Sequence, residues 1–326
     1  MQAVVLAGGL GTRLRPLTNR TPKPLLPLMG VPFAYRLIRQ LAESGVTSAT
    51  LLVGADPAPW REAGQIGAAL GVRVETQPEQ APLGTAGGCR LLFLRRPPAG
   101  PVIVCNADVL SDFDCRNLVK AHRGRGVAAT VAVARAADPS SFGVLVLGEN
   151  GLGRRYVEKP PAGTEAADTV NIGMYVLDPG VFAGLDGDGP LSFEHDVLPA
   201  LIARRSLLGV VTACYWQDLG TLTGYLGAHR AVLDGRCRWP VPAEVEVTAG
   251  VRAVHATARV AGAQIGPMAV IGARSVVEPG ARVVNSVLHE DVAVGPDALI
   301  VDSVLGEGTR IAPGTQVTGR LVAAQG

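Results

Sequence analysis

The sequence predicts an α/β protein in which a mostly parallel sheet is covered by helices and is followed by a short β-helix. Three observations support this fold class. Short apolar runs alternate with longer amphipathic runs up to about residue 236, and aliphatic residues then recur at steps of five or six residues. The chain has 326 residues, of which 48% are hydrophobic and 18% charged, so it can bury a large core. The length fits two domains.

The first domain, predicted at 1–236, has a Rossmann-like pattern. Phe33, Leu37 and Leu41 share one face of a helix, and Gly45 is placed to end it. Strands separated by helices indicate a sheet with helices on both faces, whose ligands bind beyond the carboxyl ends of the strands. The predicted strands are Ala3–Leu6, Ala49–Val53, Val72–Glu75, Val102–Cys105, Ala128–Ala134, Gly143–Leu147, Asn171–Leu177 and Leu207–Tyr215.

The second domain, predicted at 240–326, begins after Trp239-Pro240. Aliphatic residues recur at 254, 260, 265, 271, 277, 283, 288, 294, 300, 305, 311 and 317. A stacked solenoid explains this period because each step places one apolar side chain in a continuous core. The stretch resembles the hexapeptide-repeat, left-handed β-helix, and the alternative is a Gly/Val-rich sandwich.

Composition narrows the functional class. No apolar run reaches the length of a membrane helix, and the N-terminus has no signal-peptide pattern. The net charge is +2, with no basic tract, so a nucleic-acid partner is not expected. The five cysteines form no CxxC pair and are expected to be reduced thiols. These features predict a cytoplasmic protein without a membrane segment.

A glycine-rich loop follows the first predicted strand and is the strongest candidate for a binding site. It is neither a P-loop nor a dinucleotide fingerprint, but it would let backbone N–H groups approach phosphate oxygens. Arg13 follows it closely, and Lys23, one of only three lysines, stands between two prolines. The pattern predicts that these two positively charged side chains bind the same anionic group. The loop residues predicted to contact substrate are Leu6, Ala7, Gly8, Gly9, Gly11 and Thr12.

The string GGLGTRLRPLT followed by PKPLLPL resembles the signature of the sugar-1-phosphate nucleotidyltransferases, and it is most similar to their GDP-mannose pyrophosphorylase (mannose-1-phosphate guanylyltransferase) branch. Further family motifs follow in order over nearly the whole chain: QPE and PLGTAG at 77–87, CNADV at 105–109, SFGV at 141–144, VEKP at 157–160, VNIG at 170–173 and WQDLGT at 216–221. Many members also carry a C-terminal left-handed β-helix.

The resemblance implies the reaction and the roles of the site residues. A sugar 1-phosphate would attack the α-phosphorus of an NTP, and pyrophosphate would leave. Arg13 and Lys23 would steady the β- and γ-phosphates, and Asp108 and Asp218 would hold Mg²⁺, with Mn²⁺ as the alternative ion. The base would be contacted by Gln77, Gly84 and Thr85, and the sugar phosphate by Gly143, Glu158, Lys159 and Asn171.

The attacking phosphate is already mostly dianionic near neutral pH, so no protein base is required. GTP and mannose 1-phosphate are the favoured substrates. Ala107, Ile172 and Thr223 depart from the family pattern, and the larger Ile172 leaves a sugar other than mannose open.

Three alternatives remain open. The same reaction could use another NTP with glucose, heptose or cyclitol phosphate, because a few hydroxyl contacts decide this choice. A second is a non-catalytic, NDP-sugar-binding regulatory subunit, although such a protein is expected to have lost a site cation or aspartate. A third is an acyltransferase acting through the β-helix. Such enzymes usually have a longer helix with a protruding loop, whereas the repeats here are short and uninterrupted. Valine-rich solenoid faces favour a homo-oligomer.

Overall fold

The computed structural model describes residues 1–185, 187 and 189–324. By internal contacts the chain forms two compact units. The first unit comprises Met1–Gly9, Leu37–Val109 and Phe113–Cys214, and the second comprises Leu10–Arg36, Leu110–Asp112 and Tyr215–Gly326. The division therefore does not follow chain order, because residues 10–36 and 110–112 group with the C-terminal part that begins at residue 215.

A nine-stranded mixed sheet forms the centre of the first unit, in the order β10-β9-β11-β6-β1-β4-β5, with β8 paired to β11 and β12 paired to β8. Its strands are β1 (Gln2–Ala7), β4 (Ser48–Val53), β5 (Arg73–Pro78), β6 (Val102–Asn106), β8 (Ala129–Arg135), β9 (Gly143–Leu147), β10 (Gly153–Glu158), β11 (Thr169–Leu177) and β12 (Leu207–Thr212). The α-helices in the described residues are α1 (Phe33–Glu43), α2 (Ala63–Ala69), α3 (Gly84–Arg95), α4 (Cys115–His122), α5 (Leu198–Ala203) and α6 (Leu222–Leu233), and a π-helix spans Phe193–Val197.

Strands β6, β1, β4 and β5 are parallel, whereas β11 runs antiparallel to β6, so the predicted α/β sheet is confirmed with a mixed edge. The central strands are almost wholly apolar because consecutive residues, which face opposite sides of the sheet, are both buried. The sequence analysis missed β10, an antiparallel partner of β9 whose exposed Arg154 and Arg155 obscure the apolar pattern. No helix in the described part of the chain is long and apolar enough to cross a membrane.

The second unit has its own core. Leu14, Leu17 and Leu28 of the N-terminal segment form one buried cluster with Tyr225 and Leu226 of α6 and with residues of the β-helix such as Val270. This shared core explains why residues 10–36 group with the C-terminal residues. Short strands complete the segment at β2 (Pro27–Leu28) and β3 (Val31–Pro32), and β7 (Val109–Ser111) pairs with β13 (Trp216–Asp218).

From β15 (Arg252–His255) onward the C-terminal strands stack in parallel into three sheets, as the repeat predicts for a left-handed β-helix, and β14 (Val245–Thr248) pairs antiparallel with β15. Ile265, Val283, Ile300 and Val317 are in register in one sheet, and equivalent aliphatic ladders occupy the other two. Most of the predicted anchors belong to one buried cluster. The strands are β14 (Val245–Thr248), β15 (Arg252–His255), β16 (Gln264–Ile265), β17 (Ala269–Ile271), β18 (Val276–Val277), β19 (Arg282–Val284), β20 (Val287–Leu288), β21 (Ala293–Val294), β22 (Leu299–Val301), β23 (Val304–Leu305), β24 (Arg310–Ile311), β25 (Gln316–Thr318) and β26 (Leu321–Val322).

Two buried histidines lie in the second unit. Burial, and to a smaller extent the neighbouring His289, lower the pKa of His229 to about 3. Burial lowers the pKa of His289 to about 4. Both rings are therefore neutral in the folded protein at pH 7. On unfolding, each ring would regain an ordinary pKa near 6.5.

We expect the free energy of unfolding to decrease as the pH falls from about 6.5 towards 3. In this range the two histidines bind protons in the unfolded chain, whereas their buried rings in the folded chain stay neutral. The contribution of these two histidines to the free energy of unfolding is fully present above about pH 6.5. Urea unfolding at pH 7, 6, 5 and 4 measures it, and His229→Phe should flatten the decline relative to His255→Gln, which changes a half-buried ring. An equal pH slope in both variants would contradict the assignment to His229.

Candidate active site

The end of β1 supplies the first part of the predicted substrate loop. Leu6 and Ala7 are the last residues of the strand, and the carbonyl of Leu6 accepts a hydrogen bond from the N–H of Ala107 at 3.0 Å. Gly8 and Gly9 follow at the carboxyl edge of the parallel sheet. Space beside Gly9 is open: among the described residues, no atom lies within 4 Å of the place that a methyl group would take. A ligand can therefore approach this backbone closely.

Glu79 was not among the predicted site residues, yet its carboxylate lies beside this loop. A methyl group on Gly8 would stand 3.2 Å from Oε2 of Glu79, and one on Gly88 of α3 would overlap Oε1. Within the described residues the carboxylate has no hydrogen-bond or ion-pair partner. Burial raises its pKa. Two glycines thus make room for a half-buried acceptor that lacks a donor.

Helix α3 begins beside Glu79 and carries two of the predicted base-binding residues. Gly84 has a φ of 74° and packs against the backbone of Leu191, whose carbonyl accepts from the N–H groups of Ala86 and Gly87. The N–H groups of Gly84 and Thr85 are left for a ligand at this helix start. Gln77 lies half-buried in β5, at the end of the sheet.

The hydroxyl of Thr85 has a structural role. It donates to Oε2 of Glu194 at 2.6 Å and accepts from the N–H of Phe193 at 2.8 Å. These bonds attach the start of α3 to the π-helix that begins at Phe193. The backbone of Thr85 remains the group to consider for ligand binding.

Residues predicted for the sugar phosphate meet at the paired ends of β9 and β10. Nζ of Lys159 lies 3.0 Å from Oε1 of Glu158, and the hydroxyl of Tyr156 donates to the other carboxylate oxygen at 3.0 Å. Gly143 is required here because a methyl group would overlap the Tyr156 hydroxyl. Both carboxylate oxygens of Glu158 thus have a partner. The Lys159 side chain is 64% exposed, so its ammonium group can bind an anion.

Asn171 lies in β11, where the register with β8 is interrupted between residues 171 and 175. Its amide donates to the Tyr175 hydroxyl at 2.7 Å and accepts from the N–H of Gly173 at 2.9 Å. Gly173 has a φ of 71° and packs against the side chain of Asn106, at the end of β6. The pKa of Tyr175 is raised by burial and then by nearby carboxylates, which include Glu194 and Asp108.

Two of the departures from the family pattern, Ala107 and Ile172, have buried side chains. Ala107 is 0% exposed and Ile172 is 1% exposed. Their side chains are in the interior, so the suggestion that Ile172 changes the sugar specificity loses its structural basis. Alternation along a strand explains this, because Asn171 and Ile172 point to opposite faces of the sheet.

Gly11, Thr12, Arg13 and Lys23 belong to the second unit. Gly11 has a φ of 59° and precedes a 3-10 turn at Thr12–Leu14, and its carbonyl accepts from the hydroxyl of Thr18 at 2.9 Å. A methyl group there would be 3.0 Å from Cβ of Lys23. The loop and the lysine are therefore in close contact, and this contact requires glycine.

Gly220 is the point where three predicted catalytic side chains converge. A methyl group on Gly220 would stand 2.6 Å from Oδ1 of Asp218, 2.7 Å from Nη2 of Arg13 and 2.9 Å from Nζ of Lys23. Oδ1 of Asp218 also accepts the N–H of Gly220 at 2.6 Å, just before α6, which Thr221 caps. Two cations and a carboxylate thus surround a position that has no side chain.

Asp108 follows β6 in the first unit, and Asp218 ends β13 in the second. Among the described residues no group of three or more His, Cys, Asp or Glu side chains could hold a metal. A divalent ion would therefore need substrate oxygens and water to complete its coordination. Carboxylate donors of this kind fit Mg²⁺, which is commonly bound by one or two carboxylates together with substrate phosphates.

The structure thus brings the predicted residues together in separate groups: Arg13, Lys23 and Asp218 around Gly220; Glu158 and Lys159 beside Gly143; and Asn171 beside Tyr175. Sequence reasoning missed Glu79 and Gly220 as site residues. Both lie inside recognised motifs, QPE and WQDLGT, so the available signal was their proximity in sequence to Gln77 and Asp218.

Two family models match the chain. The model described as nucleotidyl transferase matches residues 2–235, and the GMPPB C-terminal domain matches 248–326. A mannose-1-phosphate guanylyltransferase from Mycobacterium tuberculosis is 35% identical over 90% of this chain and 81% of its own length. A probable mannose-1-phosphate guanylyltransferase 1 from Oryza sativa is 34% identical over 87% of this chain and 80% of its own length.

Solved structures agree in fold. HddC from Yersinia pseudotuberculosis has a TM-score of 0.60 and 27% identity, covering 70% of this chain and 97% of that one. Its complex with GMP-PN has a TM-score of 0.59 and 26% identity, covering 70% of this chain and 97% of that chain. The glycine loop at the end of β1 and the two cations beside a carboxylate agree with the family match over most of the chain. The chain therefore belongs to the nucleotidyl transferase family and is a nucleotidyltransferase enzyme.

Proposed function

We propose that this enzyme transfers a guanylyl group from GTP to mannose 1-phosphate, forming GDP-mannose and pyrophosphate. The names of the relatives support this pair of substrates. A phosphate oxygen of the sugar phosphate forms a bond to the α-phosphorus, and the bond from that phosphorus to the bridging oxygen of the β-phosphate breaks. The bond electrons leave with pyrophosphate, so neither a protein nucleophile nor a redox partner is involved.

The protein's contribution is alignment and charge. Arg13 and Lys23, which meet beside Asp218, would bind the phosphates that become pyrophosphate. Lys159, held by Glu158, would bind the sugar phosphate, and Asn171 would contact sugar hydroxyls. From the sequence motifs, we propose that Asp108 and Asp218 ligate Mg²⁺. When bound, such an ion supplies positive charge that screens the repulsion between the two polyanions.

The observation that favours GTP is the unpartnered carboxylate of Glu79. Guanine presents two adjacent donors, N1–H and the N2 amino group, and a carboxylate can accept both in parallel. Adenine, cytosine and uracil do not present that donor pair. The first-turn N–H groups of Gly84 and Thr85 would contact acceptor atoms of the base. We therefore add Glu79 to the proposed base-binding residues.

Glu79→Gln is expected to reduce the preference for GTP over ITP, which lacks the N2 amino group. Loss of one hydrogen bond to a charged group corresponds to about 10- to 100-fold in kcat/KM. Pyrophosphate release with GTP, ITP, ATP and UTP, each with mannose 1-phosphate, measures this. Glu75→Gln is the matched control, because Glu75 lies in β5, which ends just before Glu79, but pairs with Arg96 at 3.0 Å.

Each result has a defined meaning. A maximum at GTP with mannose 1-phosphate supports the proposed reaction, and a maximum with another pair would replace the substrates. Wild-type selectivity retained in Glu79→Gln would remove Glu79 from base recognition. Absence of turnover on every pair by folded wild-type protein would favour the regulatory-subunit alternative.

We also propose that the enzyme acts in the cytoplasm as a homo-oligomer. All five cysteines are free thiols, and four of them are buried, which suits a reducing compartment. Sedimentation at several protein concentrations tests the oligomeric state, and a monomer at every concentration would contradict it.

A further inference from the structure

The second unit contains a cavity of about 210 Å³ that the proposed reaction does not use. It lies among the Pro27–Gly30 segment, α6 and the first coils of the β-helix. Most of its walls are apolar, with contributions from Met29, Val245, Val270, Ile271, Val287 and Leu288. A cavity of about 150 Å³ lined by such side chains can hold benzene, so this one has room for a slightly larger ring system.

His229 lines this cavity and is unusual among the buried polar residues. It is only 2% exposed, and neither ring nitrogen has a hydrogen-bond partner within the described residues. The Pro27 carbonyl accepts a hydrogen bond from the Tyr225 hydroxyl, and it also lies close enough to His229 to favour protonation of the ring. Its second lone pair remains for one ring N–H. Tyr225 also contacts Nε2 of His289 at 3.1 Å. The Tyr225 hydroxyl is thus already engaged, and the acceptor nitrogen of the neutral His229 ring has no donor among the described residues.

The charge of the cavity restricts its ligand. His229 and His289 are both neutral at pH 7, since burial lowers their pKa values. Neither ring therefore offers a positive charge to a phosphate or carboxylate. In the described part of the chain no cluster of three or more His, Cys, Asp or Glu side chains suits a metal ion. Two carboxylates also line the cavity: Glu244, which is exposed, and Glu290, which pairs with Arg274 at 2.5 Å. They disfavour an anion further, and the buried end offers only neutral rings, so a neutral ligand with an apolar body and one N–H donor fits.

We propose that this cavity is a second ligand site, which takes an uncharged bicyclic heteroaromatic ring whose N–H donates to an imidazole nitrogen of His229. Buried polar groups in native proteins are almost always hydrogen-bonded, and a ligand of this class would supply the missing partner. The apolar walls would cover the rest of the ring system. The Tyr225 ring, 4.9 Å from that of His229, gives the polar end an aromatic neighbour.

The site bears on the catalytic residues through the chain itself. Helix α6 begins directly after the Asp218–Gly220 turn and carries His229 in its second half. Pro27 follows Lys23 by four residues. A ligand in the cavity therefore contacts the two segments that also hold Asp218 and Lys23, all within the second unit.

Indole is a suitable probe because it has the expected size and one ring N–H. Calorimetry with the intact chain is expected to give one site with a Kd of about 0.1–1 mM. Indene has the same shape without the N–H, and it should bind at least about five-fold more weakly because His229 stays unpaired. The comparison of the two probes isolates the hydrogen bond.

Two variants test the role of His229. His229→Phe should bind indole and indene equally, and His229→Gln serves if the first variant does not fold. His255→Gln is the matched control: His255 also lines the cavity, but its Nδ1 already contacts the Thr257 hydroxyl at 2.9 Å, so discrimination should persist.

Two results would overturn the proposal: no binding of indole by the wild type, or unchanged discrimination between indole and indene in both His229 variants. Because none of these readouts uses turnover, failure here is distinguishable from failure of the proposed guanylyl transfer.

Discussion

Asp108→Asn and Asp218→Asn are each expected to lower pyrophosphate release by about 10³-fold or more, because each removes a proposed ligand of the ion that screens two polyanions. Asn keeps the shape of Asp. At position 218 its oxygen can still accept the N–H of Gly220, which Asp218 holds at 2.6 Å, so the turn before α6 should persist. The expected loss of activity therefore comes from the missing negative charge, while the fold is retained.

Steady-state kinetics across a range of Mg²⁺ concentrations measure this prediction. Residual activity in either variant should require more Mg²⁺ than the wild type does. Asp114→Asn is the control, because Asp114 accepts the N–H of Arg116 at 2.9 Å as the cap of α4, and Asn caps helices equally well. Wild-type turnover in one of the two site variants would remove that residue from the metal site.

Gly220→Ala is expected to lower kcat/KM about 100-fold while the melting temperature changes little. The new methyl group would lie within 3.0 Å of Oδ1 of Asp218, Nη2 of Arg13 and Nζ of Lys23. These atoms are the ends of side chains and can move away at small cost to folding. Displacing charged groups from phosphates by about 1 Å is enough for a loss of this size.

Gly227→Ala is the matched control for Gly220→Ala. Gly227 is in the interior of α6, and a methyl group there would meet Oε1 of Gln217 at an ordinary 3.4 Å. Alanine is favoured over glycine in a helix by about 1 kcal/mol, so this variant should keep its activity and melt at a slightly higher temperature. If Gly220→Ala turned over as fast as Gly227→Ala, the convergence around Gly220 would have no catalytic importance.

Elements with strong periodicity were predictable from the order of amino acids alone. A buried parallel strand is a continuous apolar run, so β1, β4 and β6 were predictable to within two residues at each end. Each coil of the β-helix repeats the same packing requirement, and the repeat therefore specified its anchors. The glycine loop, Arg13 and Lys23 form a compound motif whose chemistry is specific enough to indicate a phosphate site.

How these parts group depends on the three-dimensional packing. Residues 10–36 share a core with α6 and the β-helix, which no local pattern indicates because Leu14 and Leu17 meet Tyr225 only after folding. The carboxylate of Glu79 beside Gly8 and Gly88, the convergence on Gly220 and the unpaired ring of His229 likewise depend on contacts distant in sequence. Periodicity reports which face of an element is buried, whereas packing determines which side chains meet and which are left without a partner.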